Sequence, residues 1–187
     1  MQRLSPIKRV VTGHDDNGNA IISSEGPVPS QFSIPIIPDM WFQEVWSTQG
    51  LPVALGNEPD PTEGKPLSLA PEKGGSRIRV VDIPPDSLQN RAGEEDIEQA
   101  FKAAGHDHTA RDTGRHSLMH RTETLDYGIL VQGELWLMMD EGETLIRPGD
   151  VVVQRGTNHA WSNRTEEMAR IVFVLMDGRY DANTAHR

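Results

Sequence analysis

The 187 residues carry 28 acidic against 18 basic side chains, a formal net charge of -10 and no cysteine. The length suits one domain with a sizeable core, and the missing thiols exclude a disulfide framework, a thiolate nucleophile and a Cys-type zinc site. The acidic balance and the lack of any basic run argue against a nucleic-acid partner. The longest apolar run, Ile171 to Met176, falls well below the roughly 20 residues of a membrane-spanning helix, so no membrane partner is expected. The opening MQRLSPIKRV has no apolar stretch behind its basic residues, so no secretory signal and a cytoplasmic protein are expected. A Cys-free composition is equally compatible with export.

Twelve of the 13 prolines precede residue 86, whereas five of the seven histidines fall between His106 and His159. Along the first half, short strand-like pieces alternate with turn signals, at Ile7 to Thr12, Ala20 to Ser23 and Trp41 to Trp46. Leu51 to Gly75 holds Pro52, Pro59, Pro61, Pro66 and Pro71 with four glycines and no apolar period, and reads as a long surface loop. Arg77 to Ile83 alternates as RIRVVDI, a strand stopped by Pro84 and Pro85. A helix is predicted from about Glu94 to Ala104, with an acidic first turn, Ile97 and Phe101 one turn apart, and Gly105 as its stop.

After residue 115 the pattern becomes a meander. Strands are predicted at Ser117 to Arg121, Asp126 to Val131, Glu134 to Met139, Glu143 to Arg147, Val151 to Gln154, His159 to Ser162 and Arg170 to Met176. Short Gly-bearing turns between them point to a β-sandwich or small barrel. In RIVFVLM both faces are apolar, whereas a strand wet on one side would alternate. One face therefore lines the interior, and the other calls for a cover: the Pro-rich first half, or a second copy in a homodimer. A plain sandwich core accounts for this strand equally well.

Two blocks, MHRTETLDYGILVQGE from Met119 and RPGDVVVQRGTNHAWSN from Arg147, resemble the paired motifs of the cupin superfamily. In that family a His-x-His is followed by a Glu and a Gly. The second block runs from a Gly to Pro-x-Gly-x-x-His-x-x-x-Asn. His120 matches the first histidine, Asp126 the Glu and Gly133 the closing Gly; Gly149, Gly156, His159 and Asn163 match the second block. Thr122 stands where the second histidine belongs, Gln154 where the Pro belongs, and the interval from Gly149 to His159 is one residue short.

The resemblance implies an all-β, small cupin-type double-stranded β-barrel (jelly roll) with one short helix before the core motif. The expected layout is one domain overall: 1–85 strands and Pro/Gly-rich loop packing on the barrel, 86–115 helix and connecting loop, 116–180 barrel core, 181–187 tail. It also implies a divalent metal (Fe, Mn, Ni or Zn) held by His120, Asp126 and His159, with Thr122 removing one nitrogen donor. The leading expectation is a metal-dependent enzyme on a small organic molecule, oxygenase-like or isomerase/lyase-like, with Tyr127 or Arg155 positioning substrate.

Two alternatives stay open. His120 and Asp126 could form a metal-free acid–base pair of an isomerase or cyclase, or the barrel could be a non-catalytic small-ligand module. Bland readings stand beside each residue: His120 and His159 as hydrogen-bonded core histidines, and Asp126 paired with Arg121 or Arg155. Tyr127, Trp136 and Trp161 could shape a pocket or simply pack, and Gln154 and Arg155 could bind a carboxylate or lie in a solvated turn. His106-Asp107-His108, with Asp112, mimics the first motif but sits in a polar stretch. His116 is too far along its strand to share a metal with His120, and His14 and His186 have no supporting context.

Overall fold

The computed structural model describes residues 3–91, 93–104 and 114–181. Its strands are β1 (Lys8–His14), β2 (Ala20–Pro27), β3 (Ser30–Ser33), β4 (Trp41–Thr48), β5 (Ser76–Ile83), β6 (Thr124–Gln132), β7 (Leu135–Met139), β8 (Glu143–Ile146), β9 (Val151–Arg155), β10 (His159–Ser162) and β11 (Ala169–Asp177). Two short helices, α1 (Asp86–Gln89) and α2 (Glu94–Ala103), link β5 to the second half.

A six-stranded antiparallel sheet runs β3-β4-β5-β11-β6-β9, and a three-stranded sheet runs β10-β7-β8. Phe42, Val81, Ile83, Leu130 and Ile171 of the large sheet share one core with Leu135, Ile146 and Trp161 of the small one. Two sheets closing over one core give the jelly-roll expected from the motifs. Because β11 pairs with β5 on one side and β6 on the other, both halves of the chain build one sheet. Among the described residues no helix is long and apolar enough to cross a membrane.

Three expectations change. The strand expected at Ser117 to Arg121 is a turn that ends in a single bridge, His120 with His159. His116 Nδ1 accepts from Leu118 N at 3.1 Å, and the His116 carbonyl accepts from Met119 N at 3.2 Å, which curls the chain until His120. β3 was not foreseen, because Pro29 and Pro35 flank it and only four residues pair. The Leu51 to Gly75 segment has no strand or helix, but it is not all surface. Leu67 and Leu69 pack against the core, and Leu69 N bonds the Ala104 carbonyl at 3.1 Å. His106, Asp107, His108, Asp112 and His186 lie outside the described residues.

The outer face of the large sheet is partly covered by the N-terminal segment. Ile7 N donates to Gln43 Oε1 at 2.8 Å, and Arg170 Nη2 to the Ser5 carbonyl at 2.9 Å. Farther across that face, Tyr127, Val151 and Val153 are 39%, 59% and 56% exposed.

The β6–β7 turn explains one motif glycine. Gly133 has φ 79°, and a Cβ there would lie 2.8 Å from Ala169 Cα and 3.0 Å from the Met168 carbonyl oxygen. Both neighbours are backbone or fixed to it and have nowhere to go. Gly133→Ala is expected to cost about 2–3 kcal/mol from strain plus overpacking, read as a lowered urea midpoint with an unchanged slope.

Candidate functional site

A cavity of about 310 Å³ opens between the sheets. Its wall is mostly apolar: Ile36, Met40 and Phe42 on one side, Leu67 and Leu69 from the long loop, and Ile97 and Phe101 from α2. Among the described residues the polar lining is confined to Arg79, Gln89, His120, Thr122, Asp126 and His159, apart from Ser33. A concave apolar pocket with a few polar groups is the usual form of a small-molecule site.

His120 and His159 face each other because their backbones exchange two hydrogen bonds, at 2.9 and 2.8 Å. Antiparallel partners that exchange both bonds project their side chains to the same face, and these rings stand 4.4 Å apart. Phe101 lies 5.3 Å from the His120 ring, and Trp161 meets the His159 ring edge-on at 5.8 Å. His120 Nδ1 sits 2.9 Å from the Leu118 carbonyl, which can only accept, so Nδ1 carries a proton.

His159 Nδ1 meets the Gln154 amide and, at 3.0 Å, the Thr157 carbonyl. Its Nδ1 is satisfied inside the fold, and the residue lines the cavity. Burial drives the His159 pKa down to about 4, against the opposing hydrogen bonds of the Thr157 and His120 backbone. The ring is neutral at pH 7. With a folded pKa below the ordinary 6.5, His159 supports the fold above pH 6.5 and that support is lost as pH falls toward 4. Histidine NMR titration should show one imidazole that stays neutral down to about pH 4; a midpoint near 6.5 would contradict this burial.

Asp126 reaches the cavity from β6. Alternation along that strand buries Thr124, Asp126 and Leu130 and turns Tyr127 outward. Asp126 is 5% exposed, and its Oδ1 has no hydrogen-bond partner among the described residues. Burial raises its pKa to about 6, opposed by the Thr124 hydroxyl and the charge of Arg79. Arg79, on β5, enters the same cavity. It is 3% exposed, bonds the Ser68 carbonyl and pairs with Glu44 at 2.9 Å, while its Nε has no hydrogen-bond partner among the described residues. Glu44 is shared with Arg77 at 2.8 Å. Gln89 Oε1 is likewise buried without a hydrogen-bond partner among them.

The fold therefore brings together His120, Asp126 and His159, with Trp161 beside them. It does not bring in Tyr127, which is 39% exposed on the outer face, or Arg155, which is exposed at the end of β9. Strand alternation is the reason: each is one residue from an inward neighbour, Asp126 or Gln154. The positive charge beside Asp126 is Arg79, in place of the Arg121 or Arg155 expected from sequence. Trp136 stacks under Arg164 at 4.6 Å, away from the cavity. Gln154 is buried and orients His159. Asn163 is a structural pin: its Nδ2 donates to the Ile83 and Glu167 carbonyls at 3.0 and 2.8 Å. His14 is exposed on β1, and His116 lies 3.6 Å from Asp86, outside the cavity.

Arg79 escaped sequence reasoning, although a signal existed. RIRVVDI puts Arg77 and Arg79 on the face that Val81 and Ile83 bury, and a buried arginine demands a partner.

The family resemblance implies a divalent metal, and the donor set can be tested against it. Thr122 Oγ1 is 2.7 Å from Thr124 Oγ1, so the missing histidine is replaced by a hydroxyl pair with no strong donor. Among the described residues no three His, Asp or Glu side chains form a group that could hold a metal ion. The two imidazoles and the carboxylate share a cavity without converging on one point, and the donors do not fit the group.

Comparison with known proteins agrees with this architecture. A cupin-domain family model matches residues 108–175. Phomopsin biosynthesis cluster protein C' of Diaporthe leptostromiformis is 33% identical over 178 residues, 91% of this chain and 78% of that protein. The chain belongs to the cupin superfamily. This cupin is also 27% identical over 181 residues to oryzines biosynthesis cluster protein J of Aspergillus oryzae, covering 92% of the chain and 84% of that protein. A cupin-domain-containing oxidoreductase of Hypocrea virens is 46% identical over 141 residues, 71% of this cupin and 57% of the relative. A cupin barrel structure from Salinispora arenicola aligns at 15% identity and TM-score 0.40, covering 78% and 82% of the two chains.

Proposed function

We propose that this cupin is an enzyme that moves protons on a small, largely apolar molecule, without a metal. One observation carries the reading: a buried carboxylate, Asp126, with an oxygen unpartnered among the described residues and a pKa near 6, shares an apolar cavity with two histidines. A carboxyl tuned toward neutrality can take a proton and give it back. The imidazoles of His120 and His159, which line the same cavity, are the groups for the other end of the transfer. Relatives named for phomopsin and oryzine biosynthesis clusters support a biosynthetic setting.

The test uses the full chain, dialysed against EDTA, in D2O with a panel of apolar ketones, phenols and carboxylic acids. Deuterium uptake at an acidic C–H position, unchanged by chelation, is the expected result. Uptake that vanishes with EDTA and returns with Fe(II), Mn(II), Ni(II) or Zn(II) would restore the metal-dependent reading.

A second copy is the proposed cover for the outer sheet face around Tyr127, Val151 and Val153. Light scattering is expected to give twice the chain mass, and a Val151→Glu/Val153→Glu variant the single mass. A monomeric wild type would remove the homodimer.

A further inference from the structure

The buried polar groups of the cavity specify more than a proton acceptor. Arg79 on β5 and Asp126 on β6 flank β11, on which Phe173 pairs with Arg79 and Leu175 with Asp126. Each is more than nine-tenths buried, and each keeps one polar atom with no hydrogen-bond partner among the described residues, the donor Arg79 Nε and the acceptor Asp126 Oδ1. Native structures rarely leave such atoms unpaired, and a donor and an acceptor in one pocket describe the complement they would take.

The charge balance limits that complement. Arg77 and Arg79 bring two positive charges to the inner face of the sheet, and Glu44 and ionised Asp126 bring two negative ones. The sum is zero. A charged ligand would add a net buried charge to an apolar cavity, which is costly. A neutral ligand adds none.

We infer that the substrate is a neutral carbonyl compound with an acidic C–H beside the carbonyl, its oxygen held by Arg79 Nε and its C–H facing Asp126 Oδ1. The inference rests on the proton-transfer reading above and names its substrate class. Asp126 takes the proton from carbon as the C–H electron pair forms a carbon–carbon double bond. The carbonyl π pair moves onto oxygen, where the Arg79 N–H stabilises the enolate. Asp126 then returns the proton to the carbon beside the carbonyl, and the oxygen lone pair re-forms the carbonyl. One proton leaves and one returns, so the step needs no oxidant or reductant.

Three bicyclic probes of similar shape separate the possibilities: 2-tetralone, a neutral ketone; 2-naphthoate, an anion; and tetralin, which lacks the carbonyl. Calorimetry on the full chain at pH 8 is expected to find 2-tetralone bound about tenfold or more tighter than tetralin, the worth of one hydrogen bond to a charged donor. Naphthoate should bind more weakly than the ketone. Arg79→Lys keeps the charge opposite Glu44 but removes the Nε donor, and should erase the preference for the ketone over tetralin. The wild-type ranking tests the inference even if that variant fails to fold. Naphthoate binding as tightly as the ketone, no preference for the carbonyl, or no binding of any probe would overturn it. Deuterium uptake into 2-tetralone is read separately. Ketone-selective binding without uptake leaves the substrate class standing and removes the proton-transfer reading, whereas uptake only into acids does the reverse.

Discussion

Asp126→Asn should abolish deuterium exchange while making the protein more stable. The loss expected for removing a general base is about 10²–10⁴-fold. The gain follows from the raised pKa, about 6 in the fold against 3.8 outside it. A group with a raised folded pKa favours the fold below the unfolded value and loses that contribution as pH rises through the folded one. The cost of ionised Asp126 is therefore small at pH 4, grows toward pH 6 and is complete above it. Its size is on the order of 2–3 kcal/mol from the shift of about two units. Urea melts at pH 4 and pH 8 check this: the variant should gain over wild type at pH 8 and hardly at all at pH 4. Equal gains at both pH values, or a loss at pH 8, would show that Asp126 is held by a partner the cavity does not display. A merely structural carboxylate would not join lost exchange to gained stability.

Glu44→Ala is expected to have the largest effect on stability. Glu44 is buried and holds both Arg77 and Arg79, at 2.8 and 2.9 Å. Its removal leaves two buried guanidinium groups side by side on one face of β5 without the carboxylate they share. Breaking a buried pair from one side costs about 3–5 kcal/mol, because the surviving charge stays desolvated. Here two charges survive, so the upper part of that range applies. Glu44→Gln keeps an acceptor and the side-chain volume and should recover part of the loss. A loss below about 1 kcal/mol in Glu44→Ala, typical of an exposed pair, would mean that water reaches the arginines.

The alternation of RIRVVDI placed β5, and RIVFVLM announced a strand apolar on both sides, which is β11. The cupin motifs located His120, Asp126 and His159, which meet in one cavity. Tyr127 and Arg155 show where that reading stopped. A list of motif neighbours ignores the period of two, which turns each of them away from the residue beside it. The turn at 116–119 was hidden for another reason: the His116 side chain caps Leu118 N, and such a local bond has no hydropathy signature.

From sequence alone came an acidic, Cys-free cupin whose chemistry sits late in the chain and uses imidazole and carboxylate. The charge and the missing cysteines are composition, and the rest is what the resemblance of two short motif blocks implies. Only the tertiary structure decided what those residues face. Pairing β5 with β11 carried Arg79 from the first half into the cavity that His120, Asp126 and His159 of the second half enter. It made α2 and the end of the proline-rich loop walls of that cavity as well. Period fixes which side of a strand a residue takes, whereas the order of strands in a sheet depends on contacts distant in sequence, which no local pattern records.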